Sequence, residues 1–374
     1  MGKKRHIVLA TTKSKTKGGV ELSMRRVAGI LASLGHTIEI LTIATDEETS
    51  SDVNRTEDTN QDYRYVTLTF GGRKALSIKK RWIFEYTLSY FWEKMPDMVV
   101  FFFVERVASA VWFAAKEAGV PFIPFLTGSD IEINLFKASE RPFLEHILRE
   151  SDTVLFVSES SYRKGTYLCE DIRNHSHIIQ NSFDPSLYDN VPVERPVKEG
   201  YTIGFVGDSE EKRNLRTLIK AFRLVCEKEK GKLTLKIAGH LSEQFADQVK
   251  KYVNIISTGQ IPQPQMLKTI ATFDCLVIPS ISEGIPNKML EAMYTGVPII
   301  AADTCGIPEV LEDRKHALLF RPWDTLAICR HLQTLMHDCT LGTNLQRRAR
   351  ALLDERYSVE DERTRWNDVL KEIP

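Results

Sequence analysis

From residue 6 to residue 320 the chain alternates short β-branched or apolar runs with stretches of helical period. A strand that is always followed by a helix has no tight hairpin partner. The helix returns the chain across one face of a sheet, so successive strands lie parallel and are buried on both faces. In the first half the strand-like runs are His6 to Ala10, Thr37 to Ile43, Arg64 to Phe70, Met98 to Val104, Pro121 to Leu126 and Thr153 to Val157. In the second half they are Tyr201 to Val206, Leu233 to Ala238, Val253 to Ser257, Cys275 to Pro279, Pro298 to Ala301 and Ala317 to Phe320. The pattern predicts an α/β protein with two successive parallel sheets. A length of 374 residues fits two domains at roughly 150 residues each. Asp189 to Gly200, with Pro192 and Pro196 and no periodicity, reads as the linker. The expected division is residues 1–192, residues 193–357, and a terminal helix over residues 358–374. That helix carries Trp366, Val369 and Leu370 at helical spacing after the second sheet is already complete.

Lys and Arg number 50 and Asp and Glu number 50, a formal charge of zero. No global field therefore recruits nucleic acid. With 43% hydrophobic and 27% charged residues, the composition excludes disordered, collagenous and membrane-spanning classes. The longest apolar run, Met98 to Val104, is about a third of the ~20 residues that a spanning helix needs. The start, Met1 to His6 followed by Ile7 to Ala10, is too short for the apolar region of a signal peptide and predicts a cytoplasmic protein. Cys169, Cys226, Cys275, Cys305, Cys329 and Cys339 form no Cys-x-x-Cys pair and have no His at metal spacing. Neither a disulfide framework nor a zinc site is expected.

Zero net charge hides uneven placement. Asp46 to Asp62 holds seven acidic residues against Arg55 alone, interspersed with Thr and Ser, and reads as a solvated, mobile loop. Residues 73–92 carry five basic residues, Arg73, Lys74, Lys79, Lys80 and Arg81, ahead of the first acid, and six aromatic residues beyond them. One reading is a core helix with a solvated basic end, and the other is a helix lying on an anionic bilayer surface.

Two segments carry candidate chemistry. The first strand leads into Lys13, Lys15 and Lys17, then Gly18-Gly19-Val20-Glu21, then a helix whose apolar face is Met24, Val27, Ala28, Leu31 and Leu34. Glycines there let the backbone approach a ligand closely, and the N–H groups at the helix start suit an anion. A plain tight turn is the other reading. In the second half, Pro279 to Met293 follows an apolar strand, with Pro286 suited to open a helix and Gly296 to end it. Glu283 then lies in the loop and Glu291 in the helix, both facing the crevice at the carboxyl ends of the strands, where open α/β sheets bind ligands. Glu291 is flanked by Met289, Leu290, Ala292 and Met293, an odd setting for a solvated acid. A carboxylate there can accept two hydrogen bonds from a vicinal diol such as a ribose, and Glu283 can do the same for a hexose hydroxyl. Taken singly, each is an ordinary loop or helix acid.

Taken together they form Ser280-x-x-Glu283-Gly284-x-Pro286-x4-Glu291-Ala292-Met293, which closely resembles the donor-binding motif of retaining glycosyltransferases of family 4. Further pieces fall in that family's order: Gly-Gly-Val-Glu at 18–21, Leu-Thr-Gly-Ser-Asp at 126–130, Gln-Asn-Ser-Phe-Asp at 180–184 and Gly-Phe-Val-Gly at 204–207. Ile-Ala-Gly at 237–239, Ser-Thr-Gly-Gln at 257–260, Gly-Val-Pro-Ile-Ile at 296–300 and Gly-Ile-Pro-Glu-Val at 306–310 follow. The resemblance implies the GT-B fold: two facing Rossmann-like parallel-sheet domains with the active site in the inter-domain cleft, and a last helix crossing back to the N-terminal domain. It gives Glu291 to the donor ribose and Glu283 to the transferred sugar, assisted by Gly284, Ile285, Pro286, Asn287 and Lys288. Gln260 and Ile261 match the segment that reads the nucleobase, and Gly19 lies on the diphosphate or acceptor side. Members also place an Arg directly after the glycine that ends the first strand of the second domain, here Gly207, and a Lys five residues later, both on the diphosphate.

This chain departs from that pattern in two places. Gly207 is followed by Asp208, and Arg213 stands where the Lys is expected. An Arg can chelate two phosphate oxygens where a Lys is a point charge, so this exchange keeps the clamp, and Lys212 or Lys288 is left to make up for the missing Arg. Thr127 stands where many relatives have a His. Asp130 nearby is read either as a polar contact to the acceptor or as a cap on the following helix. The resemblance implies a metal-independent hexosyltransferase that retains configuration, moving sugar from a UDP- or GDP-linked donor to a glycan or lipid-linked acceptor hydroxyl in cell-envelope or polysaccharide synthesis. The diphosphate itself helps to deprotonate the acceptor. No cofactor or obligatory metal is expected, since no Asp-x-Asp motif ends a suitable strand. A nucleotide-sugar epimerase on the same fold, and a degenerate nucleotide-sugar-binding or scaffold protein suggested by Asp208 and Thr127, are the alternatives.

Overall fold

The alternation of strand and helix becomes two separate sheets in the computed structural model, which describes residues 3–12, 18–46, 53–59, 62–71, 76–189, 199–229 and 231–373. Lys13, Lys15, Lys17, Arg73, Lys74 and most of the proline-containing stretch before Gly200 lie outside the described residues. Residues Met1–Asn181 and Val359–Pro374 form one unit, and Ser182–Ser358 the other.

In the first unit the strands are β1 (His6–Thr11), β2 (Thr37–Asp46), β3 (Val53–Thr59), β4 (Arg64–Gly71), β5 (Met98–Phe102), β6 (Phe122–Leu126), β7 (Val154–Phe156) and β8 (Ser176–Ile178). They lie in the order β3-β4-β2-β1-β5-β6-β7-β8, with β1 paired to β2 from His6↔Thr37 and to β5 from Ile7↔Met98. All pairs are parallel except β3 with β4. The acidic segment read as a mobile loop is thus corrected in its middle, since Val53–Thr59 pairs antiparallel to β4 from Val53↔Phe70 to Thr59↔Arg64. Val53, Thr56 and Thr59 favour an extended backbone, and an outermost strand keeps its charges in water, so high charge density does not forbid a strand there. Arg55 compensates it locally, pairing with Glu57 and, at 3.0 Å, with Glu93.

Helices cover this sheet. Gly19–Ser33 buries Met24, Val27, Ala28 and Leu31, and Leu76–Lys94 buries Ile83, Thr87, Leu88, Tyr90 and Phe91 while exposing Tyr86 and Trp92. The basic end of the second helix is partly engaged: Lys79 is buried and Arg81 pairs with Glu85 at 2.7 Å. The helix Val359–Glu372 belongs to this unit. Its Trp366 is fully buried, edge-on to Phe125 at 5.9 Å, and Glu362 meets the buried Arg26 at 2.7 Å. Arg26 also donates to Asn181 Oδ1 at 2.8 Å, which completes its pairing. Truncating such a Trp costs about 3 kcal/mol or more, so this helix is anchored chiefly by packing.

The second unit contains β9 (Tyr201–Val206), β10 (Leu233–Ala238), β11 (Ile255–Gly259), β12 (Cys275–Ile278), β13 (Ile299–Ala302) and β14 (Leu318–Phe320), all parallel, in the order β11-β10-β9-β12-β13-β14. Phe205, Leu235, Val277 and Ile300 pack under Leu218, Phe222 and Val225 of one helix and Ile328 and Leu332 of another. Counted from β9, this is the doubly wound order 3-2-1-4-5-6. The first sheet follows the same rule around β1, with β3 and β8 added at its edges. Each sheet therefore has a switch point, between β1 and β5 and between β9 and β12, where connections leave in opposite directions and open a crevice at the carboxyl ends.

Candidate functional site

At the switch point of the second sheet the strand ends are laced together through glycines. Gly207 N–H donates to Ala238 O at 2.9 Å, and Gly239 N–H to Gly259 O at 2.8 Å. Gly207 and Gly239 have φ of 150° and 152°, and a Cβ on Gly239 would stand 1.9 Å from the Gly207 carbonyl oxygen. Only glycine fits there, and the close backbone approach aims the loop after β9 across the sheet edge.

Two loops meet at this edge because β9 and β12 are neighbours. The loop after β9 makes one 3-10 turn, Glu211–Arg213, before the helix Leu215–Lys228. The loop after β12 crosses to it, with Ile281 N–H donating to Lys212 O at 2.9 Å, and runs through Pro286 into the helix Asn287–Thr295. This places the Glu283 carboxylate between two cations. Arg213 Nη1 donates to Glu283 Oε1, and Lys288 Nζ donates to the same oxygen at 2.7 Å. Lys288 also reaches Ser280 Oγ at 3.4 Å. Side-chain exposure is 11% for Glu283, 10% for Lys288 and 23% for Arg213, so these charges interact in a medium far less polar than water. Burial alone would raise the Glu283 carboxyl, but Arg213 and then Lys288 outweigh it and hold Glu283 far below the usual carboxylate range. Burial pulls Lys288 below an ordinary lysine, against the opposing pull of Glu283.

One turn further along, Glu291 sits 3% exposed on the same helix. Tyr188 OH donates to its Oε1 at 2.7 Å and Gln263 Nε2 at 2.8 Å. Burial raises its affinity for a proton, and the hydrogen bonds from Tyr188 and Gln263 only partly oppose that. A carboxylate held at one oxygen by two neutral donors remains a strong acceptor for hydroxyl groups. Neither Tyr188 nor Gln263 was marked by the sequence. Tyr188 is delivered by stacking on Phe183 at 5.4 Å, itself stacked on Tyr294 at 4.4 Å, and Asp189 N–H donating to Pro264 O at 3.1 Å brings the Gln263 segment alongside. Such partners are set by tertiary packing rather than spacing.

Of the other expected residues, Gly284, Ile285 and Pro286 are buried, Asn287 is half-buried at the helix start, Gln260 is exposed after β11, and Ile261 is half-buried. Lys288, not Lys212, is the second cation on Glu283, while Lys212 pairs with Glu210 at 2.7 Å. Gly19 opens a helix of the first unit. Asp130, also in that unit, is fully buried, and its oxygens accept main-chain N–H groups of Gly128 at 2.7 Å, Thr127 at 3.0 Å, Ile131 at 3.1 Å and Val104 at 3.2 Å. These bonds tie Asp130 into the main chain between β6 and the short helix Ser129–Glu132, whose N-cap is Gly128. Among the described residues no group of three or more His, Cys, Asp or Glu side chains is placed to hold a metal ion, and no helix is long and apolar enough to cross a membrane.

Residues 200–338, which hold every group just described from Gly207 to Glu291 but not Tyr188, match the family of glycosyl transferases group 1. Among curated proteins the chain is 24% identical over 267 residues to a putative teichuronic acid biosynthesis glycosyltransferase, TuaC, of Bacillus subtilis, covering 65% of this chain and 62% of that one. The chain spans about three-fifths of the length of the first curated relatives it matches. Among solved structures it superimposes on sucrose-phosphate synthase of Thermosynechococcus elongatus with a TM-score of 0.80 at 15% identity, covering 98% of this chain and 99% of that one. The Anabaena protein HepE in complex with UDP-glucose gives 0.74 at 16% identity, covering 98% and 100%.

Proposed function

We propose, from the match of residues 200–338 to glycosyl transferases group 1 and the two-sheet GT-B fold of the chain, that the protein moves a hexose from a nucleoside-diphosphate sugar to an acceptor hydroxyl with retention of configuration. The observation that carries the reading is the convergence of Glu283, Arg213 and Lys288 at one crevice, with Glu291 one helical turn away. Transfer breaks the bond from the anomeric carbon to the diphosphate oxygen and forms one to the acceptor oxygen, whose proton passes to the departing diphosphate. Negative charge grows on that diphosphate, and preorganised cations stabilise it without reorganising. Arg213 and Lys288 supply those charges, Glu283 accepts from a hydroxyl of the moving sugar, and Glu291 accepts from the ribose diol. Gln260 and Ile261 border the nucleobase.

The donor is a UDP- or GDP-sugar. UDP-glucose in the HepE complex supports the first. Two positive side chains at the crevice support transfer that needs no divalent cation, so EDTA should leave turnover unchanged. The acceptor is a glycan or lipid-linked glycan of a cell-envelope polysaccharide, a reading supported by the teichuronic acid name of the TuaC relative. Exposed Tyr86 and Trp92 support contact of the first unit with an anionic bilayer. Co-sedimentation with anionic liposomes at low salt checks that contact.

The deciding experiment incubates the protein with a panel of UDP-, GDP- and ADP-sugars and cell-extract acceptors, and reads nucleoside-diphosphate release. Glu291→Ala should lower that release by about 10²-fold with the fold intact, and unchanged release refutes the assignment. Tight binding without turnover would select a nucleotide-sugar-binding protein instead.

A further inference from the structure

The charges at the second switch point cancel. Arg213 and Lys288 are balanced by Glu283, which touches both, and by Asp208, whose Oδ1 lies 3.8 Å from Arg213 Nε. The neighbouring Lys212 is balanced by Glu210. Asp208 differs from Glu283 in what it does for Arg213. Glu283 forms a direct hydrogen bond to the guanidinium and orients it. Asp208 makes no hydrogen bond to Nε, which is buried without a hydrogen-bond partner, and its Oδ1 instead accepts from Glu210 N–H at 3.0 Å. The turn after β9 thus fixes a negative charge beside Arg213 without using it to aim the side chain. Asp208 is also the more exposed of the two acids, at 36% of its side chain against 11%.

We propose that Asp208 is a built-in competitor of the diphosphate: it occupies the electrostatic role of a phosphate oxygen at Arg213 and weakens the hold of the site on nucleoside diphosphates. This deepens the donor reading and rests on it. A diphosphate reaching Arg213 must overcome the charge of Asp208, so donor binding is weaker than two cations would give, and the diphosphate product leaves more readily. Product departure limits many transferases, so a site that binds its product less tightly can turn over faster. An orienting carboxylate would act the other way, because its removal would loosen Arg213 and weaken diphosphate binding.

The test is calorimetric titration of the wild type and Asp208→Asn with UDP, GDP and ADP, and with the uncharged nucleosides uridine, guanosine and adenosine. Asn keeps an oxygen for Glu210 N–H, so the turn survives, and equal melting temperatures check this. The expected result is a diphosphate affinity about tenfold tighter in the variant, with nucleoside affinity unchanged and a steeper loss of affinity with added salt. If the wild type binds a diphosphate and Asp208→Asn binds it equally or more weakly, the competitor role is wrong and the donor reading stands. If neither protein binds any diphosphate, the donor reading fails and this proposal falls with it.

Discussion

Asp130, in the short helix Ser129–Glu132 just past β6 of one unit, and Glu283, in the loop past β12 of the other, each follow the carboxyl end of a parallel strand, yet their proton affinities are shifted in opposite directions. Burial pushes Asp130 up to about 6, and its four main-chain N–H donors only partly oppose that. Burial acts on Glu283 in the same sense, but Arg213 and Lys288 reverse it. A carboxylate surrounded by amides is fixed in place and inward-facing, and it organises backbone. One flanked by two cations belongs to a charged group that an incoming anion or hydroxyl can enter. The fold supplies both settings from one architecture, and the difference lies in which side chains the next loop delivers. At β12 these are Arg213, from the neighbouring loop, and Lys288, from the helix that follows.

The largest test of this contrast is Glu283→Gln. It leaves Arg213 and Lys288 without their shared anion, and breaking a largely buried pair by removing one partner costs about 3 kcal/mol. Denaturant unfolding should show that loss, and diphosphate release from the donor should fall by about 10²-fold. A variant as stable as the wild type would mean that the cations do not depend on Glu283.

The next test is a stability difference across pH. Asp130 has a folded value of about 6 against an ordinary 3.8, so between those values the folded state holds a proton that the unfolded state has lost. Its contribution is fully present below the unfolded value and is lost as pH rises through 6. Relative to Asp130→Asn, the wild type should therefore lose on the order of 3 kcal/mol of stability between pH 4 and pH 7. Glu283 runs the other way: its depressed value contributes stability above the ordinary carboxylate range, lost only as strong acid protonates it. A wild-type advantage that stays flat from pH 4 to pH 7 would erase the distinction between the two acids.

The strands of both sheets were legible because a buried parallel strand must be apolar on both faces, as in Met98–Phe102 and Cys275–Ile278. β3 was not, since an outermost strand keeps its charges in water and Val53–Thr59 carries no hydrophobic period. β8 is only three residues, Ser176–Ile178, too short for any periodicity. At the candidate site, Glu283 and Glu291 were legible as candidates from their spacing across a loop and its helix, and Arg213 from its place in the resembled pattern; the structure brings Arg213 onto Glu283. The choice of Lys288 over Lys212 was not, because both lie close enough in sequence and only the turn Glu211–Arg213 decides which way Lys212 points. Asp130 was left open between an acceptor contact and a helix cap; its four main-chain bonds come from tertiary placement that spacing does not show, and Gly128 is the N-cap of that helix.

The smallest and most selective test concerns Glu291, which shares burial and a raised proton affinity with Asp130 but takes its bonds from side chains. Tyr188→Phe removes one donor to Oε1 while the ring keeps its stack on Phe183, so the fold is retained. Gln263 still holds the same oxygen. Losing one of two hydrogen bonds to a buried carboxylate costs about 1 kcal/mol, which would appear as a roughly fivefold weaker nucleoside-diphosphate affinity. Because the Tyr188 hydroxyl favours the charged carboxylate, its removal raises Glu291 further. The decline of affinity on acidification should then begin at a higher pH in the variant than in the wild type. A merely structural acid would show neither change, as its protonation would be felt in melting temperature alone. If Tyr188→Phe leaves both the affinity and its pH profile untouched, Glu291 joins Asp130 as a buried structural acid, and only the Glu283 cluster of the second unit remains as a site.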